Sequence, residues 1–222
     1  MPARPFFNGS PGCVRSSACM ELFSPTQKTT PFILRLLDRL RPDDPEIEGA
    51  LALALLTEAR RDARIGADGA TVSPEQQDRC LWDKHKVTEG QALLGQAVER
   101  GRPGPYQIKA AIADCHMAQS NPDWQQISLL YGSLWVHEPT SVVALNWAVV
   151  IAELGQIDLA INKLEELADE LKDFQPFYAA YAKLLVQAER FNEARLAYDK
   201  AIELAQNEAS RMFLLKESRL LC

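Results

Sequence analysis

The sequence predicts an all-α fold of antiparallel helix pairs, preceded by a smaller helical segment. The first reason is an internal repeat, because two stretches of the chain superpose with a constant offset that places Ala148 on Ala182. The second reason is that apolar residues recur at helical spacing from Pro31 onward, without the period of two that is typical of strands. The repeated positions are Ala148, Ala160, Leu164 and Leu167, followed one offset later by Ala182, Ala194, Tyr198 and Ala201.

The offset is a period of about 34 residues, which is typical of tetratricopeptide repeats when small side chains occupy these positions. Each repeat is a pair of antiparallel helices, and the small residues let neighbouring helices approach closely. The pattern therefore predicts a tetratricopeptide-like right-handed solenoid in residues 105–222, closed by a last helix over 208–221. Such arrays bind partners and rarely carry out chemistry, which favours a non-enzymatic interaction module.

The N-terminal part divides into two predicted regions. Residues 1–30 are rich in proline, glycine and serine without a helical period, which predicts a disordered or loosely attached segment. Residues 31–104 form the predicted helical N-terminal subdomain. Its first helix runs from Phe32 to Leu40, and its second follows Asp43-Asp44 with Pro45 in the first turn.

A third helix is expected to begin at Ser73-Pro74-Glu75 and to carry Leu81, Trp82, Val87, Leu93, Leu94 and Val98. The breaker cluster Gly101–Pro105 ends it. The helices predicted beyond that cluster span residues 106–117, 124–136, 141–154, 157–171, 177–188, 192–205 and 208–221. The first of these pairs is a degenerate repeat, because Asp114 and Gln126 stand one period before Ala148 and Ala160.

Composition narrows the class of protein. The 222 residues are 47% apolar and 24% charged, as in ordinary globular proteins. The net charge of −6 lies in residues 121–222, which hold 15 acidic and 9 basic residues, whereas residues 1–120 hold 15 of each. An acidic repeat half repels phosphate, so we expect no direct DNA binding by this chain alone.

The cysteines argue for a reducing compartment. Their number is odd and no C-x-x-C pair is present, so neither a disulfide framework nor a zinc site is suggested. Neither a run of 18 apolar residues nor a signal-peptide pattern is found, so a cytoplasmic protein with no membrane partner is expected. The five cysteines are Cys13, Cys19, Cys80, Cys115 and Cys222.

Several short patterns have both a functional and a structural interpretation. Asp68, Gly69 and Glu75 match three places of a calcium loop, but Arg64 and Gly66 stand where further ligands belong, so a surface turn is favoured. The other patterns are better explained by structure, and no catalytic, cofactor-binding or metal-binding residue is predicted. They are the dispersed histidines His85, His116 and His137, the loop Gly101–Gly104, the basic residues Arg60, Arg61 and Arg64 as a solvated face, and the tryptophans Trp82, Trp124, Trp135 and Trp147 as core or groove aromatics.

A partner is expected to dock on the first helices of the repeats, which line the concave face of such arrays. The sequence leaves open which of these residues instead fill the interface between repeats. The candidates are Asn146, Trp147, Val150, Tyr178, Tyr181 and Leu185.

A succession of local strings over residues 33–220 resembles one bacterial group of sigma factors. These are extracytoplasmic-function RNA polymerase sigma factors that carry a tetratricopeptide-like C-terminal extension. The strings are, in order, Leu40-Arg41-Pro42, Pro45-Glu46, Gln77-Asp78-Arg79, Trp82-Asp83, Glu89-Gly90, Gly101-Arg102-Pro103-Gly104-Pro105-Tyr106-Gln107, Ala110-Ala111-Ile112-Ala113, Asp123-Trp124, Leu130-Tyr131, Leu145-Asn146, Ala148-Val149 and Leu204-Ala205-Gln206-Asn207-Glu208.

The resemblance implies a role in transcription initiation, in which the extension regulates the sigma domains through contacts with them or with core polymerase. The two sigma domains of that group are missing here, which implies a truncated product or a stand-alone remnant. The group usually has an arginine after the Leu-Asn pair, where this chain has Trp147, so a partner contact made by that arginine would be lost. The alternative from a different class is a free-standing scaffold that binds an unrelated peptide or small ligand.

Overall fold

The computed structural model describes residues 29–117 and 122–221, and these residues form ten α-helices without a β-strand. The predicted all-α class is confirmed for this part of the chain. An isolated antiparallel bridge joins Ile65 to Thr71. The helices are Thr29–Leu40 (α1), Pro45–Ala59 (α2), Lys84–Glu99 (α3), Pro105–Cys115 (α4), Trp124–His137 (α5), Ser141–Glu153 (α6), Ile157–Glu166 (α7), Gln175–Gln187 (α8), Phe191–Glu203 (α9) and Glu208–Arg219 (α10).

Short polar side chains start many of these helices. Asp44 accepts hydrogen bonds from the backbone N–H groups of Glu46 and Ile47 at the start of α2, and Pro45 occupies the first turn as predicted. Thr140 caps α6 and Asn207 caps α10 in the same way. The prediction of disorder for residues 1–30 concerns a segment that, up to residue 28, lies outside the described residues.

The third helix begins later than predicted. Pro74–Gln76 and Arg79–Leu81 are single 3-10 turns, and α3 starts only at Lys84. The physical reason is the side chain of Asp83, which accepts hydrogen bonds from the N–H groups of His85 and Lys86 and so fixes the helix start there. Leu81 and Trp82 therefore precede the helix instead of lying on it.

Helix α2 is the centre of the N-terminal part and contacts α1, α3 and α4. It is buried on several sides, as expected for a helix surrounded by three others. Helix α4 joins this part to the repeats, because Ala110 belongs to the core around α2 whereas Ile108 and Ile112 belong to the large core of the repeats. The buried apolar residues of α2 are Leu51, Ala52, Leu53, Leu55, Leu56 and Ala59.

The repeat register predicted from the alanines is confirmed by burial. All five alanines of the pattern are fully enclosed at helix contacts, and Leu164 and Tyr198 are also buried. Helices α6 and α8, which are equivalent in the two repeats, contact each other in addition to their hairpin partners α7 and α9. The handedness of the superhelix stays a prediction. The five alanines are Ala148, Ala160, Ala182, Ala194 and Ala201.

The backbone repeats with the same offset as the side chains. Gly155 ends α6 with φ of 85° and Glu189 ends α8 with φ of 60°, and these two positions are one period apart. Gln156 N–H donates to the Ile151 carbonyl at 3.2 Å, and Arg190 N–H donates to the Leu185 carbonyl at 2.8 Å. Both helices therefore end in the same left-handed cap, in one case with the glycine that this conformation favours and in the other with glutamate.

Replacing Glu189 by glycine is expected to raise the free energy of unfolding by about 0.5–1 kcal/mol, because the left-handed conformation is strained for a residue with a Cβ. The matched control is Gly155→Ala, which is expected to lower the free energy of unfolding by about 1 kcal/mol at the equivalent position. Urea unfolding followed by circular dichroism measures both. Equal stability of Glu189→Gly and the wild type would contradict this account.

Replacing Ala194 by leucine is expected to lower the free energy of unfolding by roughly 1–3 kcal/mol, because three extra carbon atoms enter a fully enclosed site. Ala92 lies exposed on α3, and Ala92→Leu is expected to change stability by less than about 0.5 kcal/mol. The measurement is the urea unfolding midpoint of each variant. A wild-type midpoint for Ala194→Leu would show that the repeat register is wrong.

Helix α7 is shorter than predicted and ends at Glu166 instead of reaching Leu171. The N–H of Leu167 donates to the carbonyl of Leu164 at 2.9 Å, so the last turn tightens to the three-residue spacing of a 3-10 helix. The chain continues through tight turns over residues 167–173, in which Leu171 is buried and anchors the segment to the core.

The connection between α2 and α3 contacts the closing helix of the repeats. The Thr71 N–H donates to the Ala209 carbonyl at 3.2 Å, and Lys216 Nζ lies 3.6 Å from Asp68 Oδ2. This connection therefore bridges from the N-terminal helices to α10. Within the described residues, the helices are too short or too polar for any of them to cross a membrane.

Candidate functional site

The six predicted docking residues divide into two groups in the structure. Asn146, Val150 and Leu185 are buried, and the Asn146 Nδ2 donates to the Val142 carbonyl of its own helix at 2.8 Å. These three side chains present almost no surface to a partner and fill the interface between helices. Trp147, Tyr178 and Tyr181 are half-buried, so partner binding through them stays a prediction.

The indole of Trp147 connects α6 to α5. Its Nε1 donates to the Ser128 hydroxyl at 3.1 Å, and a Cβ built on Gly132 would lie 3.6 Å from the ring. The ring therefore packs over the glycine of the preceding helix while its polar edge is satisfied by the serine. These contacts make Trp147 an element of the helix interface.

The two tyrosines belong to an aromatic group on α8. Phe177 stacks on Tyr181 with ring centroids 5.9 Å apart and meets Tyr178 edge-on at 5.0 Å. The Tyr181 hydroxyl donates to Glu165 at 2.9 Å. Burial, followed by the neighbouring carboxylate of Glu165, raises the pKa of Tyr181 to about 12, so this hydroxyl remains a donor at neutral pH.

A polar junction lies between α2 and the start of α4. The Glu46 carboxylate accepts hydrogen bonds from the backbone N–H of Tyr106 at 3.0 Å and of Gln107 at 3.3 Å, so it caps α4 from another helix. A Cβ on Gly104 would collide with the Glu46 side chain. Glycine at position 104 is therefore required for this cap.

A second part of the junction fixes the turn before α2. Arg100 lies 2.6 Å from the buried Glu48 carboxylate and 2.7 Å from Asp43 Oδ1, and Arg102 donates to the Asp43 carbonyl at 3.0 Å. The hydrogen bond to Glu48 is the main reason that the pKa of Arg100 is raised. Asp43 has φ of 65°, a strained value for aspartate, and the two arginines hold it there.

Replacing Gly49 by alanine is expected to lower the free energy of unfolding by about 2 kcal/mol, because α2 and α4 are in close contact at this point. An added Cβ would lie 2.7 Å from the backbone nitrogen of Gln107 and 2.9 Å from its Cα, and backbone atoms of a packed helix cannot move aside cheaply.

The control is Gly95 of α3, where an added Cβ meets no atom within 4 Å. Gly95→Ala is expected to raise the free energy of unfolding by about 0.5–1 kcal/mol through helix propensity. Thermal unfolding of both variants tests whether Gly49→Ala lowers the stability and Gly95→Ala raises it. Stabilisation by Gly49→Ala would mean that α2 and α4 are farther apart than described.

A third cluster lies where the end of α2 meets the end of α4, around the buried Trp82. The guanidinium groups of Arg60 and Arg79 lie 5.2 Å and 4.8 Å from the centroid of the indole. Arg60 also donates to Gln77 Oε1 at 2.9 Å, and Arg79 to the Met117 carbonyl at 3.3 Å. These contacts connect the irregular α2–α3 segment to both helices.

The predicted solvated face of arginines is wrong for Arg60. The helix ends at Ala59, so helical spacing no longer governs the residues that follow, and the Arg60 side chain turns into the core beside Trp82. Arg64 donates to the Thr57 carbonyl at 2.6 Å, and burial lowers its pKa. Arg61 forms the surface ion pair, at 2.7 Å from Glu58.

The structure also places the remaining candidates. His85 is exposed on α3, 3.9 Å from a Glu89 oxygen, whereas His116 is buried with its ring edge-on to Trp124. Trp82 is buried as predicted for a core aromatic, whereas Trp135 is exposed. Among the described residues no three His, Cys, Asp or Glu side chains come together as metal ligands, although the side chain of Glu75 lies outside that description.

The surface that sequence reasoning missed is the outer face of α1. Its apolar residues lie between 41% and 70% exposed, while the opposite face packs on α2. The apolar spacing predicted an amphipathic helix, but spacing alone does not show which face turns inward. The exposed residues are Phe32, Ile33, Leu36, Leu37 and Leu40.

Comparison with known proteins gives two similarities. Residues 25–98, which include α1, α2 and nearly all of α3, match the model of a family of unknown function (DUF6596). The chain is 41% identical over 183 residues to "Uncharacterized protein R00370" of Rhizobium meliloti (strain 1021). No solved structure matches the chain. The alignment covers 81% of this chain but only 43% of that relative, so the chain spans less than half the length of the curated protein that it resembles.

Proposed function

We propose that this chain is a non-catalytic regulatory module that acts in transcription initiation by binding the promoter-binding domains of an extracytoplasmic-function sigma factor, or the polymerase that carries them. The observation that carries the proposal is the ordered succession of strings shared with the extensions of that sigma-factor group. In the structure, Glu46, Gly104 and Gln107 from these strings contact one another at the α2–α4 junction. These three residues of the strings therefore contribute to the packing of α2 on α4.

Two further observations support a role beside other domains. The relative carries more than half of its length outside the alignment, since only 43% of it is covered. Helix α1 exposes an apolar face of the kind that marks protein contacts. Both fit a module that works next to additional polypeptide.

The negative charge of residues 121–222 argues against direct DNA binding as the function of this chain. Residues 121–222 hold 15 acidic and 9 basic residues, so the repeats repel a phosphate backbone. In this proposal the sigma domains contact the promoter and the module changes how well they do so.

The test is a binding experiment with the full chain immobilised. The analyte is the purified promoter-binding domains of a sigma factor from the resembling group, expressed without their own extension, and the control is the same domains from a sigma factor that has no extension. We expect saturable binding of the domains from the resembling group and no binding of the control domains. If the chain binds neither the domains from the resembling group nor core polymerase, the proposal is overturned and a scaffold for an unrelated ligand is favoured.

A further inference from the structure

Helix α1 is amphipathic, and its apolar side faces solvent instead of the core. At 100° per residue five of its six large apolar residues form one stripe about 140° wide, and the sixth, Leu34, is half-buried outside it. The stripe extends over roughly 12 Å of helix, or a little more than two turns. The stripe consists of Phe32, Ile33, Leu36, Leu37 and Leu40, and it is called the α1 stripe below.

Polar contacts fix this orientation. Arg35, on the inner face, forms a two-pronged ion pair with Glu89 of α3, with both carboxylate oxygens 2.8 Å from its Nη2. Pro31 is buried on the same side. Rolling the helix to bury the α1 stripe would break this ion pair and expose Pro31, so the stripe is available to another molecule.

Charge identifies the kind of molecule that fits. On the helix, Arg39 lies along the same edge of the α1 stripe as Phe32, two turns farther on and next to Leu36, and it is exposed. Among the described residues no carboxylate pairs with it, whereas the neighbouring Arg41 is bound by Asp44 at 3.1 Å. An apolar stripe with an arginine on its edge is complementary to an amphipathic helix that carries carboxylates beside its own apolar face.

A second copy of this chain is a poor occupant. Two α1 helices packed in parallel would place Arg39 of each copy against that of the other. Packed in antiparallel fashion, Arg39 would lie near the positive N-terminal end of the partner helix. Neither arrangement provides the carboxylates that the edge of the stripe requires.

We propose that the α1 stripe is the docking surface for the sigma domains, and that it binds an apolar, acid-flanked helix of those domains. This inference rests on the proposed function and adds the surface and the chemistry of its partner. The length of polypeptide that the relative carries beyond the aligned region is an independent reason to expect a covering domain, because only 43% of that protein is aligned.

The test compares variants of the full chain for binding to the sigma domains of the resembling group. Leu36→Glu is expected to weaken binding at least about tenfold, because it places a carboxylate in the centre of an apolar contact. Leu129→Glu and Leu196→Glu are the controls, since these leucines are 70% and 71% exposed on α5 and α9 and outside the stripe. Both controls are expected to bind like the wild type.

Arg39→Glu provides a second variant that does not alter the apolar residues. It is expected to weaken binding several-fold at low salt, with a smaller difference at high salt, whereas Arg39→Lys retains the binding. If Leu36→Glu fails to fold by circular dichroism, this pair decides the question. Wild-type affinity for Arg39→Glu, or for a folded Leu36→Glu, overturns the inference while leaving the proposed function intact.

Failure of the wild type itself to bind any sigma domain or polymerase removes the proposed function, and the inference with it. Sedimentation of the chain alone tests the other candidate for covering the α1 stripe, which is a second copy of the chain. A stable dimer that Leu36→Glu dissociates would show that a second copy covers the α1 stripe and would overturn the inference. A monomer for both is the expected result.

Discussion

Truncation of Trp147 to alanine is expected to lower the free energy of unfolding by about 3 kcal/mol, the lower end of the range for a buried tryptophan, because the ring is half-buried. The loss has two sources. The ring contact with Gly132 disappears, and the Ser128 hydroxyl loses the Nε1 donor that lies 3.1 Å from it. Urea unfolding followed by far-ultraviolet circular dichroism measures the change without relying on tryptophan fluorescence.

Trp135→Ala is the matched control, because this tryptophan lies on the adjacent α5 and is 39% exposed. It is expected to cost less than about 1 kcal/mol. A Trp147→Ala variant with wild-type stability and reduced affinity for sigma domains would make Trp147 a docking residue. That outcome would also place the partner on the repeats and not on the α1 stripe.

The repeat was predictable because its determinants are local and periodic. Small residues recur at the same places in two helical hairpins, and alanine at a helix crossing is required by the distance between the helices. The structure extends the periodicity to the backbone, where Gly155 and Glu189 share one conformation. Glutamate gives no sequence signal for a left-handed residue, so this equivalence was visible only once the helix ends were placed.

The start of α3 could not be read from apolar spacing. Trp82 and Val87 continue the apolar pattern backwards from Leu94, so spacing extends the helix toward Ser73. Asp78 and Asp83 both have capping geometry in the structure, the first for a single 3-10 turn and the second for α3. A capping aspartate marks a start in the sequence, but which start leads to a long helix depends on the helix packing that follows.

The roles of Arg35 and Arg60 could not be predicted from the sequence for another reason. Each is determined by a partner distant in the chain, Glu89 for Arg35 and Gln77 with Trp82 for Arg60. Patterns within a helix assign such arginines to the solvent side. The Arg35–Glu89 ion pair holds the α1 stripe outward, so the surface that we propose for docking depends on tertiary structure.

The candidate residues in the repeats illustrate the same limit. Asn146 and Val150 lie one turn apart on the same side of α6, and Trp147 lies about 100° away from Asn146 around the helix. The concave side of an array is defined only by where α5 and α8 pack. The structure buries Asn146 and Val150, whereas Trp147 is half-buried. Helical spacing therefore predicted that these segments are helices but not which side of each helix faces solvent.

Acidification below pH 6.5 is expected to destabilise the protein through His116. The ring is buried at the end of α4, edge-on to Trp124 with centroids 5.6 Å apart, and no described residue hydrogen-bonds to its Nε2. Burial, assisted by the positive charge of Arg60, lowers the pKa of His116 from 6.5 to about 4. The folded protein therefore holds the neutral ring over a pH range in which the unfolded chain already binds a proton.

The sign follows from this difference in proton binding. The unfolded state takes up a proton near pH 6.5 and the folded state only near pH 4, so the contribution to stability is complete above pH 6.5 and is lost as the pH falls toward 4. A difference of this size corresponds to about 3 kcal/mol.

Urea unfolding at a series of pH values between 7.5 and 4 for the wild type and for His116→Gln isolates the effect, since the carboxylates titrate in both proteins. The stability advantage of the wild type should shrink by about 3 kcal/mol across this range. A constant difference between the two proteins would show that His116 titrates alike in the folded and unfolded states, and that its site beside Trp124 accommodates the charged ring.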